Sequence, residues 1–173
     1  MYRFLSILCG TLIIFTSSFI VPATAWATPS SPIAALPIVK NIFAGHVPDN
    51  LGVNKEHLSS CPDSPNCVLS QDADIAHSIS PIVYDTDRDT AREAVLKILT
   101  VVPRTQIIEQ QDNYIRAQSE SRLMGFIDDL EFYFPKNEKI IHLRSASRLG
   151  ESDLGVNRRR LEQIRLAFQD LNT

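Results

Sequence analysis

The chain has 173 residues, 44% of them hydrophobic and 21% charged, a composition that describes one ordinary globular domain and excludes a disordered or fibrous protein. Once the leader described next is set apart, sixteen Lys and Arg stand against twenty Asp and Glu, for a net charge of −4. A protein of that sign is a poor partner for nucleic acid, and that class is set aside.

At the N-terminus Arg3 precedes an apolar run from Phe4 to Val21, and Ala25-Trp26-Ala27 then offers a small-x-small cleavage site, so residues 1–27 read as a signal peptide with Thr28 as the mature start. The apolar run also approaches the roughly 20 residues of a spanning helix, which makes an uncleaved N-terminal anchor the alternative. Both readings place the domain outside the cytoplasm. Residues 28–60 are rich in Pro, Ser and Asn, show no sustained period apart from an apolar patch at Ile33 to Phe43, and read as a linker. Cys61 and Cys67 in "CPDSPNC" form a closely spaced pair in an exported chain, the pattern of a disulfide closing a small loop. Their spacing fits no usual zinc pattern with His57 or His77, so no metal is expected.

Residues 61–173 read as a single α+β domain. Residues Ala76 to Tyr84 are rich in strand formers, but Pro81 confines them to an edge or a strand end. Ala91, Val95, Ile98 and Val102 recur at helical spacing behind the capping box Thr90-x-x-Glu93, and Pro103 stops the run. Four strand-like runs follow, at Thr105 to Gln110, Tyr114 to Ser121, Asp128 to Phe134 and Lys139 to Ser147, joined by short turn segments. A last helix, starting at Asp153 or Asn157, carries Leu161, Ile164, Phe168 and Leu171 on one face. The expected fold is an antiparallel meander of about four to five strands with two helices packed on one face.

Strand parity divides the side chains sharply. Ile115, Ala117, Leu130, Phe132, Phe134, Ile141 and Leu143 share one face, whereas Arg116, Gln118, Asp129, Glu131, His142, Arg144 and Arg148 share the other. A turn at Pro135 to Glu138 that pairs Phe134 with Lys139 would set Glu131 against His142 and Asp129 against Arg144. Such pairs contribute about 0.2–1 kcal/mol each and are compatible with a stable, solvated outer face.

The sequence also echoes itself, in "SESRLMGFIDDLE" (119–131) and "SASRLGESDLGVN" (145–157). In a meander both Ser-x-Ser-Arg-Leu segments finish at the same end of the sheet. Arg122, Arg148, Asp128, Asp129, Asp153 and Asn157 are therefore expected to meet there, with Gly125, Gly150 and Gly155 supplying tight turns. Glu131, His142 and Arg144 extend this binding candidate along the charged face. Arg158-Arg159-Arg160 opposes the helix macrodipole, which calls for compensation by Glu151 and Asp153 or by an anionic ligand.

Three stretches, "CPDSPNCVLSQ" (61–71), "SRLMGFIDDLEFYF" (121–134) and "IHLRSASRLGESDLGVNRRRLEQIR" (141–165), resemble the family catalogued as domain of unknown function 1499, and the likeness runs from about Phe43 to Phe168. The resemblance extends to versions from photosynthetic bacteria and plastids, which implies a periplasmic or thylakoid-lumen location; it brings no activity with it. The residues themselves favour a non-catalytic module that binds an anionic small molecule, or an envelope or lumen protein, through the charged end of the sheet. The alternative is a small hydrolase or isomerase in which Glu131 orients His142 as general base and Arg144 or Arg148 stabilises developing negative charge. Ser145 and Ser147 face the core by parity and offer no nucleophile. Membrane attachment through the arginine triplet is opposed by the net negative charge and by the small size of the cluster. No nucleotide loop, zinc quartet or calcium loop is present in the sequence, so no cofactor is expected.

Overall fold

A computed structural model of the chain describes residues 43–171. The leader expected over 1–27 and the first linker residues, 28–42, lie outside the described residues. The elements run β1 (Cys67–Leu69), β2 (Ile82–Val83), α1 (Arg88–Val101), β3 (Thr105–Gln110), β4 (Tyr114–Glu120), β5 (Ile127–Tyr133), β6 (Ile140–Ser147) and α2 (Val156–Leu171). The fold is α+β, with a six-stranded antiparallel sheet in the order β1-β6-β5-β4-β3 and β2 also paired to β6. The meander is β3 to β6, as the hydrophobic pattern dictates. Two short strands extend its far edge, β1 on Ala146 to Arg144 and β2 on Ile141 and Ile140.

Helix α1 begins three residues earlier than the Thr90 capping box implies. Asp87 is the cap: its carboxylate accepts the Thr90 backbone N–H at 2.9 Å and the Thr90 hydroxyl at 2.6 Å, so Thr90 supports the cap instead of forming it. The helix stops at Val101, and Val102 is extended, as the ring of the following Pro103 requires. Ala91, Val95, Ile98 and Leu99 from α1 and Leu161, Ile164 and Phe168 from α2 pack on Ile115, Ala117, Leu130, Phe132, Phe134, Ile141 and Leu143 of the sheet. Each large side chain buried in this layer contributes about 1.5–3 kcal/mol. Leu171, expected on the same helical face, is half exposed at the last residue of α2.

The other face departs from expectation. It is covered, not solvated, because the chain before β1 folds back over it. Leu58, Leu69, Tyr114 and Tyr133 form a second core with Val53, Cys61 and Ala73 at its margin. The Leu58 N–H donates to Gln71 Oε1 at 3.0 Å and the Gly52 N–H to Glu131 Oε1 at 2.8 Å. Gly45, at φ +67°, passes so close to the end of β6 that an added Cβ would sit 2.8 Å from Arg148 Cβ. Residues 45–58, read from sequence as the end of a linker, thus pack against the sheet.

The β5–β6 register also differs from expectation, by two residues. Tyr133 pairs with His142, Glu131 with Arg144 and Asp129 with Ala146. The connection is longer than a four-residue turn because its two flanks bond elsewhere: Phe134 N–H donates to Asn113 O, and Lys139 O accepts from Tyr84 N–H. An even shift keeps every side chain on its expected face while changing every partner.

Candidate functional site

On the covered face the strands place three guanidinium groups against two carboxylates. Glu131 is wholly buried and accepts from Arg144 Nη1 at 2.7 Å, the Tyr114 hydroxyl at 2.8 Å and the Gly52 N–H. Burial and the adjacent Glu131 charge together push the Tyr114 hydroxyl pKa up, so it stays a donor. Asp129, one diagonal step along β5, takes both arms of Arg148, at 2.7 Å to Nε and 3.0 Å to Nη2. Arg116 Nη1 lies 3.5 Å from the same carboxylate, and Arg116 Nε reaches Glu109 at 3.4 Å. Two buried donors, Arg144 Nε and Arg116 Nη1, find no acceptor among the described residues.

Arg144, Arg148 and Asp129 line a cavity of about 340 Å³, closed on the other side by Pro48, Asn50, Ser60, Cys61 and Pro62. The wall is held by the Cys61–Cys67 disulfide, whose Cα atoms are 5.6 Å apart, as the cysteine spacing indicated. His77 ties that loop down. Its Nδ1 lies 2.7 Å from Asp74 Oδ2 and its Nε2 3.2 Å from Ser64 O. Both partners are acceptors, so the ring satisfies them together only as the imidazolium; the Asp74 contact raises the His77 pKa accordingly.

The sequence-predicted residues divide into three groups. Asp129, Glu131, Arg144 and Arg148 belong to the covered charge array just described. Asp128, Asp153 and Asn157 lie on the helix side of the same sheet end. Asp128 accepts from Ser147 Oγ at 2.5 Å and Arg160 Nη2 at 2.9 Å, and Asp153 caps α2 by accepting from the N–H groups of Gly155 and Asn157. Asn157, fully buried, bonds Ser145 Oγ, Ser147 Oγ, Arg160 and the Asn66 carbonyl of the disulfide loop. This knot explains the second serine pair: both hydroxyls satisfy the start of α2. Arg122 stands apart from both groups, exposed in the β4–β5 turn and without an ion pair or hydrogen bond among the described residues. The turn that carries Arg122 lies at the same end of the sheet as Arg148, but no ion pair or hydrogen bond joins Arg122 to the Asp129–Arg148 pair among the described residues.

The third group is His142, which does not pair with Glu131. Its Nδ1 lies 3.2 Å from Ser70 Oγ, its ring stacks on Tyr133 with centroids 6.1 Å apart, and burial lowers its pKa. The Ser70 hydroxyl in turn accepts the Leu143 N–H at 2.8 Å. The arginine triplet is compensated differently from expectation. Arg158 donates to the Ser78 and Ala76 carbonyls, Arg159 to the Leu154 carbonyl, and Arg160 to Asp128 and Asn157; among the described residues Glu151 makes no ion pair or hydrogen bond, and Asp153 serves the backbone. Among the described residues, no cluster of three or more His, Cys, Asp or Glu side chains is placed to hold a metal ion, and no helix is long and apolar enough to cross a membrane.

Sequence reasoning found four of the array's five charged groups as a site and placed the fifth, Arg116, on the correct face without singling it out. Gly52, Asn50 and Ser60 were missed, since nothing local marks a loop residue whose partner is 79 positions away.

The model of the family described as "Protein of unknown function (DUF1499)" matches residues 57–168. The chain belongs to that family. No curated protein matches it. The matched span of this DUF1499 domain takes in both disulfide cysteines, every strand and the entire charge array, while the covering residues 45–56 precede it.

Proposed function

We propose that the protein is a non-catalytic binding module for a small anion of the carboxylate or phosphate class, held in the cavity between the disulfide loop and the β5–β6 face. The observation that carries this reading is a 340 Å³ cavity lined by Arg144 and Arg148, in an array where the Arg144 Nε donor is buried and finds no acceptor among the described residues. A buried donor left without an acceptor costs about 1–3 kcal/mol, and an anion entering the cavity would meet two arginines on its wall. The cavity lies in the range that suits small molecules. The apolar leader, the small-x-small site and the disulfide support an exported protein, and the family likeness supports a periplasm or thylakoid lumen as its place. The hydrolase or isomerase alternative loses its central contact, since Glu131 is committed to Arg144, Tyr114 and Gly52.

The test is a thermal-shift and calorimetric titration with acetate, citrate, phosphate and sulfate, on the parent and on Ala146→Leu. Ala146 lines the cavity and takes no part in the ion pairs, so the added bulk fills the space and leaves the charges alone. A saturable rise in Tm is expected for the parent, corresponding to about 2.7 kcal/mol at a hundredfold excess over Kd, and no rise for Ala146→Leu. A parent that shows no saturable response, or a variant that keeps it, overturns the reading.

A further inference from the structure

A second cavity, of about 550 Å³, opens where the Asn54–His57 hairpin meets the β3–β4 and β5–β6 turns, and it shares no lining residue with the cavity beside Arg144 and Arg148. Two tyrosines line it, each 3% exposed. The Tyr114 hydroxyl donates to Glu131 Oε1 at 2.8 Å and keeps its oxygen lone pairs as acceptors. Tyr133 is different. Its ring is fixed in the second core and stacked on His142, yet its hydroxyl makes no hydrogen bond among the described residues. That hydroxyl is not sealed inside the core either, since the fully buried side-chain atoms that lack a partner belong to Arg116 and Arg144. It therefore opens onto the cavity that Tyr133 lines. Burial, and after it the Glu56 charge, raise its pKa, so it stays protonated and able to donate.

The hairpin above it carries an independent sign of a site. The Asn54 and His57 backbones bond both ways, at 2.9 and 3.0 Å, around a two-residue turn. Its central residues, Lys55 and Glu56, stand at φ +48° and +66°, a conformation that Asn-Gly fills with little strain. The chain puts two long charged side chains there instead, on the wall of the cavity. Strain held at such a place is accounted for by binding and not by stability. Neither side chain has an ion-pair or hydrogen-bond partner among the described residues, and the same holds for Lys136 and for the Asn113 amide on the same wall.

These groups select a class of ligand. Cations and carboxylates face one space, which penalises a ligand of either net charge. The Tyr133 hydroxyl and the Asn113 amide each donate and accept, as an alcohol does. We propose that this cavity binds a neutral polyhydroxylated molecule, a mono- or disaccharide, whose hydroxyl groups bond Tyr133 and Asn113 and are flanked by Lys55, Glu56 and Lys136. Its volume lies within the range of small-molecule sites.

The test is saturation-transfer NMR on the full chain with glucose, N-acetylglucosamine and maltose, and with glycine as a small zwitterion. At least one sugar should give a saturable response. Tyr133→Phe deletes a hydroxyl that bonds nothing in the protein, so it should leave Tm within about 2 °C while weakening sugar binding about tenfold, the loss of one hydrogen bond. Lys55→Asn combined with Glu56→Gly gives the turn its preferred residues and should raise Tm while weakening sugar binding. Ala146→Leu fills the other cavity and should bind sugar as the parent does, which separates the outcome here from that of the anion titration. A parent that binds none of the three sugars, a response to glycine alone, or a Tyr133→Phe protein with the parent's affinity overturns the proposal. So does loss of sugar binding in Ala146→Leu, which would place the sugar in the other cavity.

Discussion

Replacing Arg144 by methionine isolates the energetics of the covered charge array. The change keeps most of the apolar stem of the side chain but deletes the only cation that, among the described residues, hydrogen-bonds Glu131, whose carboxylate is 0% exposed. Gly52 N–H and the Tyr114 hydroxyl remain as neutral donors, each at 2.8 Å. A buried pair broken on one side costs about 3–5 kcal/mol, because the remaining charge is stranded out of water. In a domain of this size each kcal/mol moves Tm by roughly 3–5 °C, so Arg144→Met should lower Tm by roughly 10–20 °C, measured by calorimetry and by urea denaturation of the oxidised protein. Adding Glu131→Gln removes the stranded charge yet keeps an oxygen for Gly52 and Tyr114. The double variant should therefore be more stable than Arg144→Met alone, with a favourable coupling energy above about 1 kcal/mol in the double-mutant cycle. If Arg144→Met costs less than about 1 kcal/mol, or the two substitutions simply add, then Glu131 and Arg144 are not a dry, mutually dependent pair, and the picture of a covered array fails.

Other consequences can be measured alongside it. Asn157→Ala removes four hydrogen bonds at a site with no exposure and should cost about 2–4 kcal/mol in urea denaturation, whereas Asn137→Ala on the exposed hairpin should cost under about 0.5 kcal/mol. Changing Cys61 and Cys67 together to serine opens a short loop and should destabilise the fold by roughly 2 kcal/mol, with a matching loss of the anion-dependent Tm rise because Cys61 is part of the cavity wall. The two buried or half-buried histidines should shape stability on either side of their ordinary value of 6.5 in opposite ways. The raised pKa of His77 means that its contribution is complete below its ordinary value of 6.5 and is lost as pH rises through the folded-state value, so His77→Gln should flatten the alkaline side of a Tm against pH profile. The lowered pKa of His142 means that its contribution is present above 6.5 and is lost as pH falls toward the folded-state value, so His142→Gln should flatten the acid side.

Period and parity were enough to read the two helices, the four long strands, the face each side chain takes and the cysteine pair from the sequence, because these depend on neighbours within a few residues. Asp128, Asp153 and Asn157 gathered at one end of the sheet for the same reason: strand direction alternates in a meander whatever its register. Partners were another matter. The choice of Arg144 over His142 for Glu131 depends on how Phe134 and Lys139 bond to Asn113 and Tyr84, contacts made outside the hairpin itself. The sequence likewise suggested a wet outer face, since charged residues alternating along strands are usually solvated. Only the tertiary structure shows residues 45–58 laid over that face, with Gly52 reaching Glu131 across 79 positions. That covering segment has no hydrophobic period to announce it. It acts through single backbone groups and a few scattered apolar side chains, so its effect on the buried charges exists only once the chain has closed on itself.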